Sequence, residues 1–282
     1  MYPKVSDISA ALENLAPQAM AEAWDNVGLQ VGDRDREVKS IWVALDPTYQ
    51  VVQAACRQNV DLLITHHPLI FKPLLSLDYH SAVGSILSLA VRHHLAIFAA
   101  HTNLDSALGG INDILAGRIG LHDIEPLAEF DADRQLGQDR SLSSGSDQRF
   151  GIGRVGLLDS EMDLNSLALK IKSILKLRYL KLAGDPALAV NKVAICSGSG
   201  ASLMTEFMAS GAQAFVSGDL RYHDARDAEA AQRGLIDIGH FASEHLIVDA
   251  LAEKLSGIFA DSDLNPIVRA CDIEKDPFTV IL

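Results

Sequence analysis

Cysteine is scarce in this chain: 282 residues hold only Cys56, Cys196 and Cys271. No two are spaced as CxxC, and the number is odd. That excludes a disulfide scaffold and a cysteine zinc site. Basic residues are also in short supply: 24 Lys and Arg against 37 Asp and Glu leave a net charge of −13. A protein that binds duplex DNA needs a basic face to displace counterions, so nucleic acid is not an expected partner. Metal cations and small polar substrates remain compatible with the charge. Long apolar runs are missing, since none reaches the ~20 residues that a membrane span requires. The opening MYPKVSDISAALENLAP lacks the charged-then-apolar pattern of a secretion signal. The expectation is a cytoplasmic protein with no membrane segment. Also absent are a P-loop, a GxGxxG loop and a convincing Ser-His-Asp signature.

What is present is a regular alternation. Hydrophobic residues make up 48% of the chain, enough for one large domain or two modest ones. SDISAALENLAP reads as an opening amphipathic helix, and GLQVG and SIWVALD as strands around a charged turn. TYQVVQAACRQN (helix), VDLLIT (strand), SAVGSILSLAVRHH (helix), LAIFAA (strand) and INDILAGRIG (helix) follow. The polar stretch at 131–150, DADRQLGQDRSLSSGSDQRF, interrupts the pattern and reads as a loop or linker. After it, strands and helices alternate again up to a long closing helix, ASEHLIVDALAEKLSGIF. Such alternation predicts an α/β fold of two linked units, with mostly parallel sheets flanked by helices. The expected division is 1–128 plus 243–282 for the first unit and 129–242 for the second.

The polar residues fall at particular places. VDLLIT is followed by His66 and His67, LAIFAA by HTNLD with His101 and Asp105, AQAFVSG by Asp219, and LIDIG by His240 with Glu244 four residues on. In a parallel sheet the carboxyl ends of the strands share one edge, where ligands bind. A pair at i, i+4 shares one helix face. Four imidazoles and two carboxylates (His66, His67, His101, Asp105, His240, Glu244) suit two divalent metal ions. Two-metal sites hold their ions about 3.5–4 Å apart. Nitrogen and oxygen ligation without thiolate fits Zn, Fe, Mn, Co or Ni and does not choose among them. Adjacent side chains diverge, so His66 and His67 are expected to serve different ions.

Other candidates have plainer readings beside the functional one. His93-His94 ends a helical pattern, where a cation favours the helix dipole; His80, His122 and His245 are left outside the site. CSGSGAS places Ser197, Gly198, Ser199 and Gly200 between a strand and a helix. Such a turn either binds phosphate through backbone N–H groups or is simply tight. Asp25-Asn26 reads as a plain turn. Asp219 and His223 either orient ligands or cap the next helix.

At these residues the sequence resembles the NIF-three-like family, also called GTP cyclohydrolase 1 type 2 homologues. The matching stretches are AWDNVGLQVGD, LLITHHPLIF, AAHTNLDSALGGIND, VAICSGSGAS, FVSGDLRYHDA and LIDIGHFASEH. The resemblance implies two interlinked α/β units and subunits that assemble into a toroidal homohexamer. It implies a dinuclear centre on His66, His67, Asp105, His240 and Glu244, with His101 as a further ligand or close neighbour. It also implies a short form, without the inserted domain of longer members. The activity implied is metal-dependent hydrolysis of a purine nucleotide ring, GTP or a relative. In that reading Glu244 or Asp105 accepts a proton, His223 donates one, and Ser197, Gly198, Ser199 and Gly200 lie near a phosphate, with Arg221 as a local cation. The other reading gives the same six ligands to a metal chaperone, a storage protein or a regulatory interaction protein without turnover.

Overall fold

A computed structural model describes residues 1–130, 149–260 and 262–281. The expected loop at 131–150 therefore lies, over 131–148, outside the described residues. The chain divides into two compact units, Met1–Leu104 with Ile247–Leu282 and Asp105–Leu246. The first boundary falls earlier than the expected residue 129. The reason is packing: Leu115, Ala116 and Ile119, on the helix after Asp105, sit in the core of the second unit.

The first unit is built on a five-stranded sheet. Its strands are β1 (Gly28–Val31), β2 (Ser40–Ala44), β3 (Leu62–Thr65), β4 (Ala96–Ala99) and β11 (Ile267–Ala270), in the order β1-β4-β3-β2-β11. Only β1 runs antiparallel to its neighbour. Helices α1 (Val5–Leu15), α2 (Tyr49–Arg57), α3 (Ala82–Arg92) and α10 (Leu246–Ala260) accompany it. The hydroxyls of Thr48 and Ser81 cap α2 and α3 by accepting from the N–H groups of Val51 and Gly84. One face of the sheet, with Trp42, Ala44, Leu63 and Ile97, packs on Val52, Ala55, Ile86 and Ala90 of α2 and α3. The alternate residues Ile41, Val43, Leu62, Ile64 and Phe98 are buried as well. Both faces are covered, so these strands read as unbroken apolar runs.

The second unit holds a six-stranded sheet. Its strands are β5 (Leu121–Glu129), β6 (Gly151–Asp163), β7 (Lys181–Ala183), β8 (Ala189–Ser199), β9 (Ala214–Gly218) and β10 (Gly234–Asp237), ordered β5-β6-β8-β9-β10-β7. Here the expectation of mostly parallel strands fails. Only β8-β9 and β9-β10 are parallel; β5-β6, β6-β8 and β10-β7 are antiparallel. The difference arises because the thirteen-residue β6 runs antiparallel to both its neighbours, β8 and the unexpected strand β5 (LHDIEPLAE), and because β7 adds an antiparallel edge beside β10. Helices α5 (Ile111–Ile119) and α6 (Leu164–Ile174) pack with Val193, Ile195, Val216 and Ile236. Phe207 of α7 (Met204–Ala209) and Ala228 of α8 (Tyr222–Ala230) pack with Ala194, Phe215 and Leu235. Among the described residues, no helix is long and apolar enough to cross a membrane.

Candidate metal centre

In the first unit the strand register aligns three chain ends. Ala44 of β2 pairs with Thr65 of β3, and Thr65 with Ala99 of β4. The ladder continues one step beyond the strands: His66 N–H donates to Ala44 C=O (3.2 Å), His67 N–H to Leu45 C=O (2.9 Å) and Ala100 N–H to Thr65 C=O (2.9 Å). Asp46, His66, His67 and His101 therefore emerge at one sheet edge on a fixed backbone.

Nitrogens of His66, His67 and His101 lie within 4.8 Å of one another, a spacing that a single cation spans. The ring centroids of His66 and His67 stand 5.1 Å apart. Both histidines lie past Thr65, the last strand residue, where the pleat no longer sends successive side chains to opposite faces.

Each ring is held by its Nδ1. His66 Nδ1 is 2.9 Å from Ala100 C=O, His67 Nδ1 2.8 Å from Asp46 Oδ1, and His101 Nδ1 2.9 Å from Asp25 Oδ1. A carbonyl or carboxylate only accepts, so in the neutral ring Nδ1 carries the proton and Nε2 the lone pair. Second partners of this kind fix both the tautomer and the direction of a metal-binding histidine. Burial pushes the Asp25 carboxyl up, but hydrogen bonds from His101 and Thr102 outweigh it and hold the group at about 2. Asp25 and Asp46 were not among the sequence candidates. The one legible signal for Asp46 was its place directly after SIWVAL, matching that of the histidines after LLIT. Trp24 stands edge-on to His101 at 6.0 Å and 5.6 Å from Phe71, and both aromatics are exposed.

The second unit gathers its own candidate residues at the carboxyl ends of β8, β9 and β10. Ser199 pairs with Gly218, and Ser217 with Asp237. After β10, Gly239 turns with φ 84° and its N–H donates to Asp237 Oδ1 (3.0 Å). The chain then enters α9 (His240–Glu244). His240 Nε2 is 2.9 Å from Glu244 Oε2, the i, i+4 partner, and its Nδ1 is 2.7 Å from Asp219 Oδ2. Glu244 first and Asp219 second push the imidazole up to about 9, against the opposing effect of burial. Glu244 itself is 3% exposed. Gly198 permits that closeness: it has φ 62°, and a β-carbon there would stand 2.2 Å from Glu244 Oε1. Asp105 lies in α4 (Thr102–Ser106), 8% exposed, and Ser197 Oγ donates to its Oδ1 at 3.2 Å.

The phosphate reading of Ser197–Gly200 meets an obstacle. The N–H of Ser197 donates to Asn112 Oδ1, that of Gly198 to Ser243 Oγ and that of Gly200 to Ser217 Oγ. A phosphate would have to displace bonds that tie this turn to the ligand-bearing elements. His223 sits exposed on the first turn of α8, beside Tyr222. Arg221 spends its guanidinium on Asp224 (2.9 Å). His93 caps the end of α3, and His245 stacks on Phe241 at 4.6 Å.

All four candidate histidines are thus anchored through Nδ1, three of them by carboxylates. This donor set fits divalent transition metals: imidazole nitrogens with carboxylate oxygens and no thiolate. Cys196 is buried against Asp105 and Glu244, and burial pushes its thiol well up.

A family model described as Duf34/NIF3 (NGG1p interacting factor 3) matches residues 3–277. A Clostridium perfringens protein named GTP cyclohydrolase 1 type 2 homolog is 34% identical over 278 residues, covering 99% of this chain and 100% of its own length. A protein of the same name from Clostridium acetobutylicum is 31% identical, with 99% of both chains covered. The solved structure of a Bacillus cereus protein related to NIF3 superposes with a TM-score of 0.90 at 25% identity, again over 99% of both chains.

Proposed function

Since this chain belongs to the Duf34/NIF3 family, we propose that it binds two divalent metal ions and acts as a metal-dependent hydrolase of the GTP cyclohydrolase 1 type 2 kind. The observation that carries the reading is the anchoring of His66, His67, His101 and His240 through Nδ1. In His66, His67 and His101 this leaves Nε2 as the nitrogen a cation would take, the arrangement that metal-binding histidines share, while His240 Nε2 meets Glu244. In the proposal the ligands are His66, His67, His101, Asp105, His240 and Glu244.

When bound, such ions supply a water acidic enough to attack near pH 7. The protein's own groups do the rest. Asp25, Asp46 and Asp219 hold the imidazoles in one direction. Glu244 takes a proton from the attacking water. His223 delivers one to the leaving nitrogen, so that a C–O bond replaces a C–N bond of the substrate ring. Ser197–Gly200 enter as a brace for the ligands. A homo-oligomer, hexameric by family resemblance, belongs to the same proposal.

The test is to load the protein separately with Mn, Fe, Zn and Co, supply GTP, and follow ring opening by absorbance and mass spectrometry. Turnover with at least one metal, lost in a folded His67→Ala variant, is the expected result. Tight metal binding with no product under any loading would replace the hydrolase with a metal-handling protein. A protein that takes up no metal would overturn both.

A further inference from the structure

One closed ring of hydrogen bonds stands behind a proposed ligand. Asn112, fully buried at the start of α5, donates from Nδ2 to the main-chain carbonyl of Asp105 (3.0 Å). Its Oδ1 accepts from the N–H of Ser197 (2.8 Å). Ser197 Oγ–H then donates to Asp105 Oδ1 (3.2 Å), closing the ring. The amide orientation follows from its partners, because one end faces an acceptor and the other a donor. All three residues are buried.

We propose that Asn112 and Ser197 are positioning residues that set the direction of the Asp105 carboxylate toward a divalent cation. The inference rests on the reading of Asp105 as a metal ligand. The two bonds divide the task. The amide fixes the main chain at Asp105, and the hydroxyl fixes the rotation of its carboxylate plane. Ser197 is placed for this by β8, in whose last turns of pleat it lies, and by the Asn112 bond to its own N–H. This assigns Ser197 a part other than phosphate binding.

A second clamp holds the same segment from its far side. Arg154, 1% exposed, donates through Nη2 to the carbonyls of Ser106 (3.4 Å) and Ala107 (3.1 Å) and pairs with Asp113. Asp113 in turn accepts from the N–H of Gly109. The chain just after Asp105 is thus gripped by its carbonyls while the ring aims the carboxylate. Arg154 touches no ligand side chain, which makes it the control for a purely structural role.

The test uses the full chain, stripped of metal and titrated with cobalt(II). Affinity is read by chelator competition and ligand geometry by the visible d–d absorption. Thermal melting of the metal-free protein is measured alongside. Ser197→Ala removes a single hydroxyl. It is expected to weaken one bound cobalt by about 10–100-fold and to change the absorption, with the metal-free melting point little moved. Ser197→Thr, which restores the hydroxyl, is expected to recover most of the lost affinity. Asn112→Asp, which puts an acceptor against the Asp105 carbonyl, is expected to weaken the same cobalt. If Ser197→Ala binds cobalt with parental affinity and spectrum, the ring is a structural brace and the inference falls, while the metal reading stands. If the parent protein binds no cobalt, the metal reading falls and takes this inference with it.

Discussion

The Asp25 carboxylate, its side chain wholly covered, accepts from His101 Nδ1 at 2.9 Å and also from the main-chain N–H of Thr102 at 3.1 Å. It therefore fixes the ring and the backbone from which the ring projects. Asp25→Asn keeps the shape and removes the charge. The expected outcome is a loss of about 10–100-fold in affinity for one divalent ion, with His101 still in place. Chelator competition measures it; unchanged affinity would make the pair purely structural.

The same carboxylate carries an acid signature. Its folded value, about 2, lies below the ordinary 3.8. Its contribution to stability is therefore fully present above pH 3.8 and is lost as pH falls through about 2. Comparing acid unfolding of the parent with Asp25→Asn should show the parent's extra loss inside that window. Coincident pH profiles would refute it.

His240 behaves in the opposite sense. In the metal-free protein its imidazole is raised from 6.5 to about 9. The stability it gains is complete below pH 6.5 and disappears as pH rises through about 9. NMR titration of the ring should give a midpoint near 9, and Asp219→Asn should lower it. A midpoint near 6.5 would show that Glu244 and Asp219 do not hold the proton.

Gly198→Ala tests the close approach to Glu244. The new methyl would meet Oε1 at 2.2 Å on a backbone with φ 62°. The left-handed conformation alone costs about 1–2 kcal/mol for a residue with a β-carbon. Displacing Glu244 adds to that and should remove a bound metal. Urea unfolding and metal analysis read the two effects separately; parental values in both would sink the argument.

Arg154→Met should instead act on stability. It leaves Asp113 without its buried cation and frees the carbonyls of Ser106 and Ala107. The loss should be about 3 kcal/mol, at the low end for a broken buried pair because Asp113 is partly exposed. A lower denaturation midpoint at constant slope is the expected signature.

The legible part of the molecule was the part in which one face or one period decides. LLIT and AIFA, buried on both faces, announce parallel strands, and the histidines that follow them emerge at one sheet edge. LHDIEPLAE did not announce β5, because an exposed edge strand has little apolar pattern to show. That omission hid one antiparallel pair of the second sheet; β6-β8 and β10-β7 are antiparallel without it. Within the candidate site, the i, i+4 spacing of His240 and Glu244 was readable, but Asp25 was hidden as a turn residue. Its role depends on Thr102 and His101, some 76 positions away in sequence, which no local pattern encodes. The convergence of His66 with His67 was hidden for a similar reason, since it depends on where the pleat stops.

The ladder between β5 and β6 extends as far as a hydrogen bond from Phe130 N–H to Phe150 C=O at 3.0 Å. The two ends of segment 131–148 therefore start from neighbouring points, and the cost of closing a longer connection there grows only slowly with its length. A fused module whose own termini lie close together is therefore expected to fit at this point with the β5-β6 register kept.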